Sequence, residues 1–211
     1  MDEGFPEIPS NLSRLQEEFS EKLEFVYCAN TGPHRKLLPY LYRHWGESRL
    51  VVTADDDTIY PNNWLEQLAE AYDKFRCVIA YRGHRMLVWN GKLAPYRKWM
   101  TSRIEENPSQ LILPTGKDGI LYDTAFFPPN VLNIEDALML TPTADDLWFR
   151  YHLALNRIPV FVLNTDYRTS LEEADYETSL YLNFNRQGGN DKAIALLDDY
   201  FEKKFDFSIT V

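Results

Sequence analysis

Arg49-Leu50-Val51-Val52-Thr53-Ala54-Asp55-Asp56-Asp57 is an apolar run that ends in three consecutive carboxylates. Aliphatic and β-branched residues in so short a run predict a strand from Arg49 to Ala54 that delivers the aspartates at its end. Clustered carboxylates after a strand suit a hard divalent cation such as Mn²⁺ or Mg²⁺, which prefers oxygen ligands and bridges carboxylates to phosphates. Three adjacent like charges repel one another, and a bound cation relieves the repulsion. A solvated acidic turn explains the triplet equally well, and both readings stand on these residues alone.

Working outward, Pro61 falls where a helix start tolerates proline, and Trp64, Leu65, Leu68, Ala71 and Tyr72 form the apolar face of the next helix. Cys77 to Tyr81 reads as another short strand. Upstream, Leu12, Leu15, Phe19 and Leu23 predict an amphipathic helix over 11–23, capped by Ser10 or Asn11. Glu24 to Ala29 reads as a short buried strand, and Lys36 to His44 as a helix interrupted or bent near Pro39. Strands alternating with helices predict an α/β fold, a mixed or parallel sheet flanked by helices, with its crevice beyond the carboxyl ends of the strands. Asp55 to Asp57 fall at that edge.

Farther along, Trp89-Asn90-Gly91-Lys92 predicts a tight hairpin turn, and Thr115-Gly116-Lys117-Asp118-Gly119 a loop open to close backbone approach. Thr143 to Asn156 reads as a helix with Leu147, Tyr151 and Leu155 on one stripe, extended by Trp148 and His152. Pro159 to Asn164 reads as a strand, and Asp191 to Lys203 as a last helix capped by Asn190.

The chain has 211 residues, of which 45% are hydrophobic, enough to bury a core. Its net charge of −10 argues against a general nucleic-acid binder and against a polybasic membrane anchor, both of which need basic faces. No run reaches the length of a membrane span, and the first residues resemble no secretory signal, so a cytoplasmic location is expected. Cys28 and Cys77 each fall in apolar runs and read as buried free thiols.

Three further groups could carry chemistry. Thr143-Ala144-Asp145-Asp146 can form a capping box, and a carboxylate at a helix start can also serve as a general base. Pro33-His34-Arg35-Lys36 gathers three basic residues that could meet phosphate oxygens, or could be an ordinary solvated helix start. Arg82, His84 and Arg85 could line the same crevice, or could pack and pair on the surface.

Taken in order, these pieces resemble the family 2-like glycosyltransferases of GT-A fold found in bacterial surface-polysaccharide clusters. The matching stretches are His34 to Pro39, Val52 to Asp57 with Tyr60-Pro61 and Trp64-Leu65, Arg82-Gly83-His84, Pro95-Tyr96, Trp99, Thr115-Gly116, Gly119 to Tyr122, Pro142 to Phe149 and Asn190-Asp191. The likeness runs from about residue 25 to near the C-terminus.

The resemblance implies metal-dependent transfer of a sugar from a nucleotide-sugar donor to a glycan or glycolipid hydroxyl, in polysaccharide biosynthesis. Asp55-Asp56-Asp57 would be the DXD-type motif, with Asp57 and Asp55 on manganese or magnesium. Lys36, Asp55, Asp56, Arg82 and His84 would bind the donor. Asp146 would be the catalytic base, with Asp145 orienting the acceptor. The family's opening Val-Ser-Leu-Thr-Ser-Tyr-Pro-like strand and loop has no counterpart before Glu24, so the likeness implies an N-terminally shortened sheet. The expected organisation is one domain over 1–211: an atypical helical segment (1–23), a donor and metal half (24–85), an acceptor half (86–165) and a C-terminal helical segment (166–211). The alternative is a truncated, inactive GT-A-like module that binds a protein or peripheral membrane partner. A metal-dependent phosphohydrolase explains the aspartates but not the Thr143 segment.

Overall fold

A computed structural model describes residues 8–56, 58–163 and 188–211. Within them the chain runs α1 (Ser10–Glu18), α2 (Leu38–Arg43), β1 (Leu50–Thr53), α3 (Trp64–Phe75), β2 (Val78–Ala80), β3 (Gly83–Arg85), β4 (Val88–Trp89) and β5 (Lys92–Leu93). It continues with α4 (Tyr96–Trp99), β6 (Ile112–Pro114), β7 (Ile120–Asp123), α5 (Ile134–Leu140), α6 (Asp145–Leu155), β8 (Val160–Val162) and α7 (Asn190–Phe205). The main sheet has the order β1-β7-β2-β8. Strand β7 is antiparallel to β1 and β2, whereas β2 and β8 are parallel, so the sheet is mixed and the fold is α/β. No helix among the described residues is long and apolar enough to cross a membrane.

Side chains alternate across a strand, and the sheet uses both faces. Val78 and Ala80 of β2 join Ile120 and Tyr122 of β7 and Val160 and Val162 of β8 in a core closed by α6 and α7. Ile79, Tyr81 and Leu121 face the other way, onto Trp64, Leu68, Ala71 and Tyr72 of α3. Helix α3 therefore follows the expected periodicity, except that Leu65 is 57% exposed. It stops at Arg76, which adopts a left-handed conformation (φ 49°) and closes its N–H on the Tyr72 carbonyl at 2.8 Å.

Helix α6 is more deeply set than a one-sided stripe predicts. Every residue from Leu147 to Ala154 is buried, including Arg150 and His152. The His152 ring bonds the Trp148 carbonyl through Nδ1 at 2.9 Å, and Arg150 Nη1 donates to the Ile158 carbonyl at 3.0 Å. The Asn90-Gly91 turn forms as expected, both residues at positive φ (52° and 76°), joining β4 to β5.

Several expectations fail. Residues 24–29 form no strand, and Val26 and Tyr27 are 41% and 49% exposed. Their side chains have strand propensity, but a strand also needs a hydrogen-bonded neighbour. Helix α1 begins at Ser10 after Pro9 and ends at Glu18, with no side-chain cap. The basic stretch is interrupted at Leu37, one of the two expected forms, between a 3₁₀ turn at Gly32–Lys36 and α2, whose first turn holds Pro39. Asn190 is the first residue of α7 rather than its cap, and Asp191 instead accepts the Tyr96 backbone N–H at 2.7 Å. Cys77 is buried and Cys28 half-buried, both as free thiols. Asn164 and residues 166–187 of the expected C-terminal segment lie outside the described residues.

Candidate active site

The loop from Thr115 to Gly119 is the hub of the site. Its Gly116 N–H donates to Asp146 Oδ2 at 3.2 Å, which fastens the loop to the start of α6. Its other end is fastened to the end of β1. The Tyr60 hydroxyl receives the Asp55 N–H at 2.7 Å and donates to the Lys117 carbonyl at 3.2 Å. Trp64 packs against Tyr60 in a tilted pair with ring centroids 4.1 Å apart and donates Nε1–H to the Asp118 carbonyl at 2.9 Å. Gly119, at φ 101°, lies so close under the Trp64 indole that a Cβ there would overlap the ring. Only glycine meets both demands.

Around this hub the chain gathers Lys36, Asp55, Asp145 and Asp146. The Lys36 ammonium is ion-paired with Asp55. Burial pulls the Lys36 pKa down, but the charges of Asp145, Asp55 and Asp146 pull it up, and the net shift is upward. The ammonium therefore stays charged and ties the end of β1 to the start of α6. Asp55 and Asp56 line an open pocket of about 320 Å³ together with Arg35, Lys36 and Ala54.

The acidic pair on α6 stands in a different environment. Asp145 and Asp146 open the helix after Ala144, and no side chain caps it. The expected capping box is absent: Asp146 takes its N–H from Gly116, thirty residues away, rather than from its own helix start. Burial first, then the charge of Asp145, raises the Asp146 pKa well above the ordinary carboxylate range, against the pull of Gly116 N–H and Lys36. Asp145 is raised too, chiefly by burial, with Lys36 and His34 opposing.

His34 is not the solvated cation that its basic neighbours suggested. It is fully buried, its Nε2 lies 2.8 Å from the Thr141 carbonyl, and burial lowers its pKa. It holds the turn before α6 in place, helped by Gly32, where a Cβ would come within 3.2 Å of the Pro142 carbonyl. Lone histidines in basic runs give no sequence signal for such a role, because the partner is 107 residues away.

Arg82 reaches the rim of the site through Asp118, 3.5 Å away, and remains 51% exposed. His84 is not among the residues lining the open pocket; its ring sits edge-on to Tyr96 at 5.9 Å, and burial followed by the charge of Arg82 lowers its pKa to about 4. Arg85 pairs with Glu105 at 2.7 Å. Asp57, expected on the metal, lies outside the described residues. Among the described residues no three His, Cys, Asp or Glu side chains are grouped to hold a metal ion. Asp55 and Asp56 still offer oxygen ligands at the pocket beside two cations. That set suits a Mg²⁺-like ion held by one or two carboxylates and substrate phosphates, rather than one caged by protein alone.

Comparison with known protein families, with curated proteins and with solved structures finds no match for this chain.

Proposed function

We propose that this chain is a metal-dependent glycosyltransferase of GT-A type that moves a sugar from a nucleotide-sugar donor to a hydroxyl acceptor. The observation that carries the reading is the convergence, on one loop, of a pocket lined by carboxylates and cations with a second carboxylate pair of raised pKa. Arg35 and Lys36 supply positive charge for a diphosphate. Asp55 and Asp56, with Asp57, would hold the divalent ion, which when bound supplies Lewis-acid neutralisation of the leaving diphosphate. Asp146 accepts the proton of the attacking hydroxyl, and its raised pKa makes it a better base near neutral pH than an ordinary aspartate. Asp145 and the Gly116 N–H fix its position.

Thermal melting with UDP, GDP, CDP and TDP in the presence of Mn²⁺ tests the donor half. At least one nucleotide raises the melting temperature, and Asp57→Asn removes the rise. No shift with any of the four refutes the donor site.

A second reading is favoured by one observation. Among the described residues strand β1 stands at the edge of the main sheet, and Leu15, Phe19, Tyr27, Tyr42 and Leu50 are 43% to 75% exposed. Exposed sheet edges and apolar patches are places where another chain adds. On this reading the chain is an inactive binding module, and it shows concentration-dependent association without any donor hydrolysis.

A further inference from the structure

Residues 82–103 contain six cations, Arg82, Arg85, Lys92, Arg97, Lys98 and Arg103, and no acidic residue, in a chain of net charge −10. The segment folds as β3, the β4–β5 hairpin and α4, continuing just past that helix. Arg82 and Arg85 are engaged by Asp118 and Glu105. Lys92, Arg97, Lys98 and Arg103 are all exposed, and none forms an ion pair among the described residues. Elsewhere Arg43, Arg49, Arg76, Lys203 and Lys204 each meet a carboxylate. The nearby acids of α7 are partly committed: Asp191 binds the Tyr96 N–H, and Asp198, which senses the charge of Lys92, accepts the Tyr151 hydroxyl. Beside the hairpin turn, Trp89 is 51% exposed.

We propose that this hairpin-and-α4 face docks on an anionic phospholipid surface. Four exposed cations without a carboxylate partner among the described residues, close together in sequence with no acid between them, concentrate positive charge here and favour this orientation. An exposed indole at the tip of the hairpin suits the headgroup layer, where an amphipathic ring is favoured. Single-stranded nucleic acid fits less well, because it needs several rings to stack on and Tyr96 and Trp99 are buried here. Arg82 links the face to Asp118 in the hub loop, so docking holds the rim of the site toward the membrane. The proposal is independent of the transfer reaction, since docking needs no donor.

Sedimentation of the full chain with vesicles tests it. The protein pellets with vesicles containing phosphatidylglycerol and stays in solution with phosphatidylcholine alone. Combined Arg97→Gln, Lys98→Gln and Arg103→Gln weakens partitioning about 100-fold. Trp89→Ser weakens it less, Arg14→Gln leaves it unchanged, and melting temperatures confirm that each variant is folded. Failure to bind phosphatidylglycerol vesicles, or retention of binding by the triple variant, overturns the proposal. Equal affinity for single-stranded DNA at the same salt overturns the lipid assignment.

Discussion

The molecule holds two acidic pairs of the same composition that meet different partners. Asp55 and Asp56, just past β1, line an open pocket beside Arg35 and Lys36. Asp145 and Asp146, at the start of α6, are deep enough for burial to raise both pKa values. The difference separates two jobs that one residue type can perform. Carboxylates at an open, cation-lined pocket can share a ligand with metal and phosphate, whereas a half-buried carboxylate of raised pKa can take a proton and return it. Lys36 joins the two, ion-paired to the first pair and charge-coupled to the second.

The largest test of that division is Asp146→Asn. Sugar transfer falls about 100-fold or more, in the range general bases contribute. The Asn side chain still accepts the Gly116 N–H, and the melting temperature at neutral pH does not fall. A variant that loses rate and stability together would make Asp146 a structural residue instead.

The pH dependence of folding sharpens the comparison, because α6 carries groups that pull in opposite directions. The folded Asp146 pKa is raised, so its contribution to stability is present at low pH and lost as pH rises through the raised value. His152 is fully buried and lowered to about 4, with burial as the main cause. Its contribution is present above its unfolded value near 6.5 and disappears as pH falls toward 4. The shift corresponds to roughly 3 kcal/mol. Chemical denaturation at pH 7 and pH 4 isolates it as a difference: the wild type loses about 3 kcal/mol more than His152→Phe over that interval.

Gly119→Ala tests whether one loop serves both pairs. At φ 101° and against the Trp64 ring, an added methyl destabilises the fold by about 2 kcal/mol or more. It also lowers both nucleotide binding and transfer. An effect on one alone would show that the loop positions a single pair. The smallest expected effect is that of Lys36→Met, which weakens nucleotide binding roughly tenfold by titration calorimetry. Unchanged affinity would place the diphosphate elsewhere.

Much of the frame was legible in the sequence where the signal is local. The β-branched run before Asp55, the four-residue spacing on α3 and the Asn90-Gly91 turn each depend on neighbours a few residues apart, and each forms. Glu24 to Ala29 misled because propensity does not supply a partner strand. The Thr143 capping pattern misled because Asp146 found a distant donor in Gly116. The site residues Lys36, Asp55, Asp145 and Asp146 were all visible as single positions, but their meeting around one ammonium spans more than a hundred residues of chain. The roles of His34 against Thr141 and of Trp64 against Gly119 are equally non-local, and no periodicity encodes them.

The central claim is that these two acidic pairs form one sugar-transfer site. The most direct measurement is hydrolysis of a panel of nucleotide sugars by the full chain, with and without Mn²⁺, alongside Asp146→Asn. The account predicts Mn²⁺-dependent turnover of at least one nucleotide sugar, reduced about 100-fold in the variant. No turnover of any donor, or turnover that Asp146→Asn leaves intact, would contradict it.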